Sequence, residues 1–502
     1  MNVLFISIDS LNRHFLKVYG QPIELDVQTP NLDRFAQRAT IFDAHYTGSL
    51  PCMPARREYF AGLQEFLWRP WGPMEPFDVT AARAARIAGA VTQLVTDHYH
   101  FFQYGSHGYY EDYHGFEFIR GHEFDAWRTA PRDADPVLLS QIGAQDPYGL
   151  QFMNRATYAR NVASFMSEED FFAPKVFQAT ADWLASNHDH PKWFCAVDSF
   201  DVHEPFHCPE PYASMYTDED PRDPELTNWP YYGRIDEGQS KLSERQVAFV
   251  RSQFAGKVTM VDRWFGRVLD QLDAHNLWDD TMVIVTADHG HYLGDHGWMG
   301  KPNSPMYNTL CHIPLLIWHP HSPHQGQRIG ALTATVDIYA TMLEALEATV
   351  PGHVHSRSLL PLLLGQTDRH REWAIYGYWG STVNVTDGRY TYLRPCRTDL
   401  PAEGYSTMFM NLHGWFTPIR LPRDPEAGRF LPYTDAPVWR YTAHSYTRHD
   451  EPLLFDLQSD PGQEENLAGQ GLLQEGQMRD LLVTALQELK APAHQYDRLG
   501  LA

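Results

Sequence analysis

Carboxylate and imidazole side chains follow closely after short apolar runs of the sequence. Asp9 follows residues 3–8, and Asp288 with His289 follows residues 282–285. Ligands of open α/β sheets bind beyond the carboxyl ends of the strands, so these side chains are expected at one edge of a sheet. Taken singly, each is more often a helix cap, a turn former or a structural residue. Together, two carboxylates and an imidazole fit Mg²⁺, Mn²⁺ or Ca²⁺ better than a closed zinc site.

A second candidate chemistry lies in a proline-rich segment, predicted to be a loop, that contains Cys52 and Arg56. The positive charge of Arg56 could activate Cys52 as a nucleophile that faces the metal carboxylates. A free cysteine is also commonly a small buried residue without chemical function. A cysteine protease would need a base and an orienting carboxylate, and several histidines are available for that role. The residues alone leave these alternatives open.

Further imidazoles follow two other apolar runs. His98 and His100 come after residues 91–95, and His203 comes after residues 193–197. They are expected at the same sheet edge as the candidate metal ligands.

Two motifs in the sequence are misleading. Residues 203–207 spell H-E-x-x-H, but this zinc signature works only on a helix, and Pro205 inside it argues against one. Residues 294–301 are rich in glycine and end in Gly-Lys, yet Asp295 and Pro302 replace residues that a phosphate-binding loop requires. Neither a zinc protease nor a P-loop protein is predicted.

The apolar runs are short and rich in β-branched residues, which is typical of buried strands, and helical stretches lie between them. The clearest helix begins after Ser243, where Gln246 completes a capping box, and its apolar positions recur every three or four residues to Leu272. This alternation predicts an α/β fold with a large mixed, mostly parallel sheet sandwiched by helices.

The pattern of apolar and aromatic residues in the sequence changes near residue 350. Short aromatic stretches at 373–379 and 389–393 predict an antiparallel sheet, and residues 472–489 a terminal helix. Residues 405–446 show no periodicity and are predicted to form a long loop or an oligomer contact. We therefore predict a catalytic domain over residues 1–370 and a smaller α+β domain over residues 371–502.

Composition excludes several function classes. The chain has 63 Asp and Glu against 40 Lys and Arg, a formal net charge of −23, which argues against binding to nucleic acid or to a membrane surface. No apolar run is long enough to span a bilayer. The five cysteines contain no C-x-x-C pair, so neither a zinc knuckle nor a disulfide framework is suggested. The first residues lack secretory signal features, so a cytoplasmic location is expected.

The segment from Cys52 to Arg56, Cys-Met-Pro-Ala-Arg, resembles the C-x-P-x-R signature of the type I sulfatases, in the alkaline phosphatase superfamily. The resemblance continues in family order along the chain and is therefore specific. The other matching segments are residues 2–9, 29–33, 97–100, 202–205, 286–290, 293–296, 301, 313–315 and 454–467.

The resemblance implies that a formylglycine-generating enzyme converts Cys52 to formylglycine, whose hydrated diol supplies the nucleophilic oxygen. One calcium or manganese ion would be held by Asp9, Asp288, His289 and the diol of residue 52. The residues implied in catalysis are Cys52 as formylglycine, Arg56, His100, His203 and Lys301, and those implied in substrate binding are His98, His203 and Lys301.

The implied activity is hydrolysis of a small anionic sulfate ester. Many arylsulfatases have a second acidic residue where this chain has Ser10, and an Asn where it has His289. The Asp-His pair is more similar to choline sulfatases and phosphonate monoester hydrolases, so phosphonate monoester or phosphodiester hydrolysis is an alternative. If Cys52 stays a thiol, an inactive binding protein on the same scaffold is another. A homo-oligomer is expected by analogy with these relatives.

Two further expectations concern the edge of the site. Lys301, in a loop, is expected in solvent-accessible space. Leaving-group specificity is expected in the loops over residues 104–125 and 405–446, whose aromatic side chains line a pocket or simply pack. Those aromatic residues include Tyr109, Tyr110, Phe116, Trp415 and Tyr441.

Overall fold

The computed structural model describes residues 1–20, 23–103, 108–128, 133–144, 154–302, 305–408 and 425–501. Its strands are, in chain order, β1 (Asn2–Ile8), β2 (Thr40–Phe42), β3 (His45–Tyr46), β4 (Ser49–Leu50), β5 (Val91–Thr96), β6 (Gly115–Phe118), β7 (Trp193–Ser199), β8 (Gly233–Arg234), β9 (Thr281–Thr286), β10 (Tyr292–Leu293), β11 (Trp298–Gly300), β12 (Leu315–Trp318), β13 (Arg328–Ile329), β14 (Thr333–Ala334), β15 (Ala374–Tyr378), β16 (Val383–Thr386), β17 (Tyr390–Arg394), β18 (Ala402–Ser406), β19 (Glu426–Gly428), β20 (Val438–Ala443) and β21 (Leu453–Asp456). Its α-helices are α1 (Pro30–Ala36), α2 (Cys52–Ala61), α3 (Ala81–Ile87), α4 (Pro136–Gln141), α5 (Ala156–Asn161), α6 (Phe172–Asn187), α7 (Glu244–Ala274), α8 (Asn308–Cys311), α9 (Asp337–Ala345), α10 (Leu360–Leu363), α11 (Leu473–Glu488) and α12 (Ala493–Arg498).

The large sheet has eight strands within the described ranges, in the order β13-β2-β12-β9-β1-β7-β5-β6. Strand β1 pairs in parallel with β7 on one side and with β9 on the other, and β5 extends the parallel arrangement beyond β7. Strand β12 is antiparallel to both of its neighbours. The predicted α/β fold with a mixed, mostly parallel sheet is confirmed. The carboxyl ends of its central strands therefore meet at one edge, where ligands bind in such sheets.

Helices cover both faces of this sheet because successive side chains of a strand point to opposite faces. Leu4 and Ile6 of β1 belong to a core that packs against α6 and α7, whereas Val3 and Phe5 belong to a second core that packs against α2, α3 and α9. The capping box predicted at Ser243 is present, with the Ser243 side chain accepting from the Gln246 backbone N–H. This capping box sets where the long helix α7 begins.

A second sheet has the order β21-β17-β16-β15-β4 within the described chain, and β15, β16, β17 and β21 form the predicted antiparallel part. Helix α11 covers it with Met478 and Leu482, and the bounds of α11 are close to those of the predicted terminal helix. The short β4 comes from the N-terminal part of the chain and pairs in parallel with β15. The second sheet thus joins early and late segments, and a domain boundary near residue 370 stays a prediction.

The prediction of one long loop over residues 405–446 is wrong for the described part of that range. Strands β18, β19 and β20 form a small antiparallel sheet there. The strands are short, and the region around them is rich in proline, arginine and tyrosine. The period-two pattern that identifies a strand is therefore too brief to detect. Trp415 lies outside the described residues.

Within the described ranges, no helix combines the length and the apolar composition that crossing a membrane requires. The longest helix of the described ranges, α7, is buried on every side from Ser252 to Asp262 and includes the buried charged residues Lys257 and Asp262.

Candidate active site

Cys52 is the first residue of helix α2, and the prediction of a loop position is therefore wrong. Strand β4 ends at Leu50, Pro51 turns the chain, and the helix begins at Cys52 with Pro54 in its first turn. Proline is tolerated in a first turn because the backbone N–H groups there have no partner inside the helix. The two prolines that suggested a loop are thus compatible with a helix start. Cys52 is buried, with 2% of its surface exposed.

Four side chains form a cluster with the composition of a metal site. The ligand atoms of Asp9, Cys52, Asp288 and His289 all lie within 4.8 Å of one another, and all four residues are buried. His289 Nδ1 lies 2.8 Å from the Gly290 carbonyl oxygen, so Nδ1 donates and Nε2 faces the cluster, 3.3 Å from Cys52 Sγ. The structure therefore brings together the four ligands that the sequence resemblance implied.

The electrostatics of this cluster fit a divalent cation. Burial and the neighbouring Asp288 carboxylate raise the pKa of Asp9 well above its usual range. Burial also opposes ionisation of Asp288, but the adjacent His289, Arg56 and Lys301 lower its pKa below the ordinary value. Two carboxylates forced together in this way share a proton unless a cation compensates them. Two carboxylate groups and a neutral imidazole nitrogen are suitable ligands for such a cation.

Arg56 lies beside this cluster and contacts three carboxylates while fully buried. Its Nη2 atom is 2.9 Å from Asp9 Oδ2 and 2.9 Å from Asp198 Oδ1, its Nε atom donates to Asp198 Oδ2 at 3.0 Å, and Nη1 donates to Asp288. The sequence placed Asp198 at this sheet edge but assigned it no role in the site. It closes the apolar run of β7, so the rule that identified Asp9 and Asp288 also points to it.

Lys301 is buried, with 1% of its surface exposed, so the prediction that it lies in solvent-accessible space is wrong. Its Nζ atom donates to Ser10 Oγ at 3.3 Å and to Cys52 Sγ at 3.4 Å, and lies 3.8 Å from Asp9 Oδ1. Burial opposes the charged form, but Cys52, Glu204 and Asp9 raise the pKa of Lys301 above its ordinary value. The negative charges of the cluster make burial of this ammonium group tolerable.

Ser10 links the two sides of the cluster and was not predicted as a site residue. It has a positive φ of 60°, and in this conformation its backbone N–H donates to Asp288 Oδ1 at 3.0 Å. Its hydroxyl donates to Asp9 Oδ1 at 2.8 Å and accepts from Lys301. A short hydroxyl thus stands between Asp9 and Lys301.

Three imidazoles surround the ring of Phe200 at the same sheet edge. The ring centroids of His98 and His203 both lie 4.1 Å from that of Phe200, and His100 lies 5.8 Å from it. Burial lowers the pKa of each histidine, to about 3 for His100, with further lowering of the His98 pKa by Arg56. All three rings are therefore neutral near pH 7.

The chain around His203 is not helical, which agrees with the rejection of a zinc protease motif. Instead, Lys257 of α7 fixes it by donating to the backbone carbonyls of His203 at 2.9 Å and Pro205 at 2.8 Å. Lys257 also forms an ion pair with Asp201. Nothing in the sequence indicates the role of Lys257. It lies among the apolar positions of a helix, where a single charged residue only makes the apolar pattern less regular.

The aromatic residues expected near the leaving group divide into two groups. Tyr109 and Tyr441 are buried, and Tyr109 stacks on Phe101 at 5.2 Å, so both contribute to packing. Phe116 on β6 is 48% exposed and contacts Tyr110. The beginning of the predicted specificity loop, at Tyr104, lies outside the described residues.

Comparison with known proteins agrees with this geometry. The family model described as "Sulfatase" matches residues 1–348. The multifunctional alkaline phosphatase superfamily protein PehA of Trinickia caryophylli is 27% identical over 421 residues, covering 72% of this chain and 77% of that protein. Arylsulfatase K of Xenopus laevis is 23% identical over 517 residues, covering 95% of this chain and 81% of that protein.

Among solved structures, the phosphonate monoester hydrolase of Agrobacterium radiobacter matches with a TM-score of 0.66 and 20% identity, covering 98% of this chain and 95% of that one. A match of this kind shows a shared fold. The family match extends over more than half of the chain and includes the whole sheet edge that holds Asp9, Cys52 and Asp288. The chain therefore belongs to the sulfatase family of the alkaline phosphatase superfamily.

Proposed function

We propose that this protein hydrolyses sulfate esters, with formylglycine made from Cys52 as the nucleophile and one divalent cation, calcium or manganese, at Asp9, Cys52, Asp288 and His289. The observation that supports this most directly is the convergence of these four side chains with Arg56 and Lys301 in one buried cluster. A bound cation would lower the pKa of the hydroxyl that attacks and would help to neutralise the anionic ester.

The positive groups around Cys52 are suited to bind a sulfuryl group. Lys301 Nζ lies 3.4 Å from Cys52 Sγ, which stands in the structure where the attacking oxygen of the modified residue would be. Three carboxylates, those of Asp9, Asp198 and Asp288, hold Arg56 in place. Arg56 in turn orients these carboxylates and balances their negative charge. Position 52 is also the first residue of α2, and the N-terminus of a helix favours an anion nearby.

The neutral imidazoles line the other side of the candidate site. We assign His203 and His98, together with Lys301, to contacts with the oxygens of the ester. We assign His100 to proton transfer, because a neutral ring can accept a proton. The low pKa that burial imposes on these rings keeps them in the accepting form near pH 7.

An unmodified thiol at position 52 is a poor nucleophile in this environment. Burial and the Asp9 charge raise the pKa of the Cys52 thiol well above its ordinary value, so it stays protonated. The structure therefore does not favour a cysteine-protease type of reaction. If Cys52 is not converted, the protein is an inactive binding protein that uses the same anion-binding groups.

Phosphonate monoester or phosphodiester hydrolysis is the second candidate function. The observation that favours it is Ser10, whose neutral hydroxyl stands next to Asp9 and contacts Lys301. A cluster with fewer carboxylates repels a phosphorus ester less. The relatives named PehA and phosphonate monoester hydrolase are consistent with this choice.

We further propose a cytoplasmic homo-oligomer with a catalytic domain over residues 1–370 and a smaller domain over 371–502. Its partners would be a small anionic ester and, during maturation, a formylglycine-generating enzyme, with no nucleic acid and no membrane. The formal net charge of −23 is compatible with an anionic substrate only if the anion is small and reaches the buried cationic groups.

The test combines chemistry at position 52 with kinetics. The protein is produced together with a formylglycine-generating enzyme, and the tryptic peptide spanning Cys52 is labelled with an aldehyde-specific hydrazide and weighed by mass spectrometry. We expect labelled peptide in proportion to activity, and none in Cys52→Ala. A fully active protein with an unmodified thiol would rule out the mechanism. On the same metal-loaded sample, kcat/KM is then compared for an aryl sulfate and an aryl phosphonate, and a large preference for the phosphonate would reverse the order of the two candidates.

A further inference from the structure

Glu123 is a buried carboxylic acid beside His100 for which the proposed function gives no role. Only 5% of Glu123 is exposed, and its Oε2 atom lies 3.3 Å from His100 Nε2. Oε2 has no well-aligned hydrogen-bond partner among the described residues, although the Tyr99 hydroxyl is near enough to interact with the Glu123 carboxyl group. The Glu123 backbone has a φ of +47°, a conformation that non-glycine residues seldom adopt. The loop after β6 thus holds this acid against the imidazole in spite of the backbone cost.

The other nitrogen of His100 determines where the proton between the two residues must be. Gln103 Oε1 lies 2.5 Å from His100 Nδ1. An amide oxygen can only accept, so Nδ1 carries the proton of the neutral ring and Nε2 is an acceptor. The approach of Glu123 Oε2 to Nε2 is then favourable when Oε2 carries a proton.

The surroundings of Glu123 keep that proton in place near pH 7. Burial raises the pKa of Glu123 to about 8, with the Glu204 carboxylate as the next cause. Burial lowers the pKa of His100 to about 3, so the ring does not take the proton in the resting state. The titratable and charged groups that face Glu123 are Tyr99, His100, His122, Arg155, Glu204, Tyr232 and Lys301.

We propose that Glu123 is the proton partner of His100: as the Nδ1 proton of His100 passes to the oxygen of the departing alcohol in place of Gln103, His100 Nε2 takes the proton of Glu123 Oε2. The inference rests on the proposed ester hydrolysis. As the bond between sulfur and the alcohol oxygen breaks, its electron pair stays on that oxygen, which takes the proton. Glu123 is left as a carboxylate and regains a proton from water before the next turnover. Glu123 is thus a positioning residue that acts through His100.

The test compares two leaving groups on the metal-loaded enzyme. Phenyl sulfate releases a weakly acidic phenol and needs a proton, whereas 4-nitrophenyl sulfate releases a stable anion. For Glu123→Gln we expect kcat/KM to fall about 100-fold for phenyl sulfate and less than about 5-fold for 4-nitrophenyl sulfate. In the wild type, kcat/KM for phenyl sulfate should fall as pH rises through about 8, and Glu123→Gln should lose this dependence. Glu117→Gln, at an exposed position of β6, is the matched control and should change neither substrate.

Each outcome decides the question. Equal losses for both substrates in Glu123→Gln, or a pH dependence that survives the substitution, would overturn the inference while leaving ester hydrolysis in place. If Glu123→Gln does not fold, the wild-type profile decides, because a flat profile with phenyl sulfate from about pH 7 to about pH 9 contradicts a proton donor of this kind. A wild type that is converted at Cys52 and hydrolyses neither sulfate nor phosphonate esters would refute the proposed function itself.

Discussion

The Arg56 guanidinium and the Asp198 carboxylate form a fully buried, two-point ion pair. Nε of Arg56 donates to Oδ2 at 3.0 Å and Nη2 donates to Oδ1 at 2.9 Å. Paired donors and acceptors of this kind fix the plane of the guanidinium as well as its position. With this edge of Arg56 held by β7, Nη1 is directed towards Asp288 and the carbonyl of Cys52.

Asp198→Asn should destabilise the protein by about 3 kcal/mol, because it removes one partner of a buried pair and leaves Arg56 less compensated. Turnover should fall as well, since Arg56 would lose its fixed plane. Urea unfolding of the metal-loaded protein measures the stability change, and Asp182→Asn, at an exposed position of α6, is the control. A loss below about 1 kcal/mol for Asp198→Asn would show that Asp9 and Asp288 suffice to hold Arg56.

Lys301→Met should lower kcat for sulfate esters by roughly 100-fold or more, because the ammonium group beside position 52 stabilises charge that develops in the transition state. Methionine retains the length of the buried chain while removing its charge. The exposed Lys241→Met variant should have wild-type kinetics. Steady-state kinetics on samples with equal aldehyde content at position 52 tests this, and an unchanged kcat would remove Lys301 from the reaction.

Removal and return of metal should change thermal stability through the buried cluster. For protein stripped with chelator, Mn²⁺ or Ca²⁺ at about 100 times its dissociation constant should add about 2.7 kcal/mol and raise Tm. Asp288→Asn should abolish most of this rise, whereas Asp279→Asn, exposed just before β9, should retain it. Differential scanning fluorimetry provides the measurement. If Asp288→Asn still shows the full metal-induced rise in Tm, the ion does not bind at Asp288.

Glu58 on α2 should give the stability a distinct pH dependence. Burial raises the pKa of Glu58 to about 8, while its Oε1 accepts from the Ser49 backbone N–H at 2.5 Å. Its contribution to stability is complete below the unfolded pKa near 4.5 and is lost as pH rises to about 8, at up to about 1.4 kcal/mol per pH unit. Glu58→Gln lacks this loss, so its stability relative to wild type should increase from about pH 5 to about pH 8. If the free energies of unfolding of wild type and Glu58→Gln change in parallel over this pH range, the raised pKa of Glu58 is contradicted.

Local patterns were sufficient to predict the central strands and the groups that end them. The run before Asp9 and the run before Asp288 are each about one strand long, and polar residues follow at once. Because parallel strands share one carboxyl edge, these local signals also predicted that the two carboxylates meet. The capping box at Ser243 was predictable for the same reason, since all of its atoms come from neighbouring residues.

Properties that depend on contacts between distant segments were not predictable. The burial of Lys301 requires Ser10 and Cys52 from the other end of the chain, and the pairing of Glu123 with His100 requires two separate loops to meet. The helical position of Cys52 was missed for a local reason, because two prolines indicate a loop unless they fall within a first helical turn.

The pairing of β4 with β15 also determines when the segment before Cys52 can reach its final place. During synthesis Ser49 and Leu50 leave the ribosome early, whereas their partners Gly377 and Tyr378 follow only after most of the chain. Until then β4 has no neighbour in its sheet, and the turn at Pro51 has no support from that side. Cys52 is 2% exposed in the folded chain, so on the proposed mechanism its conversion should precede this pairing.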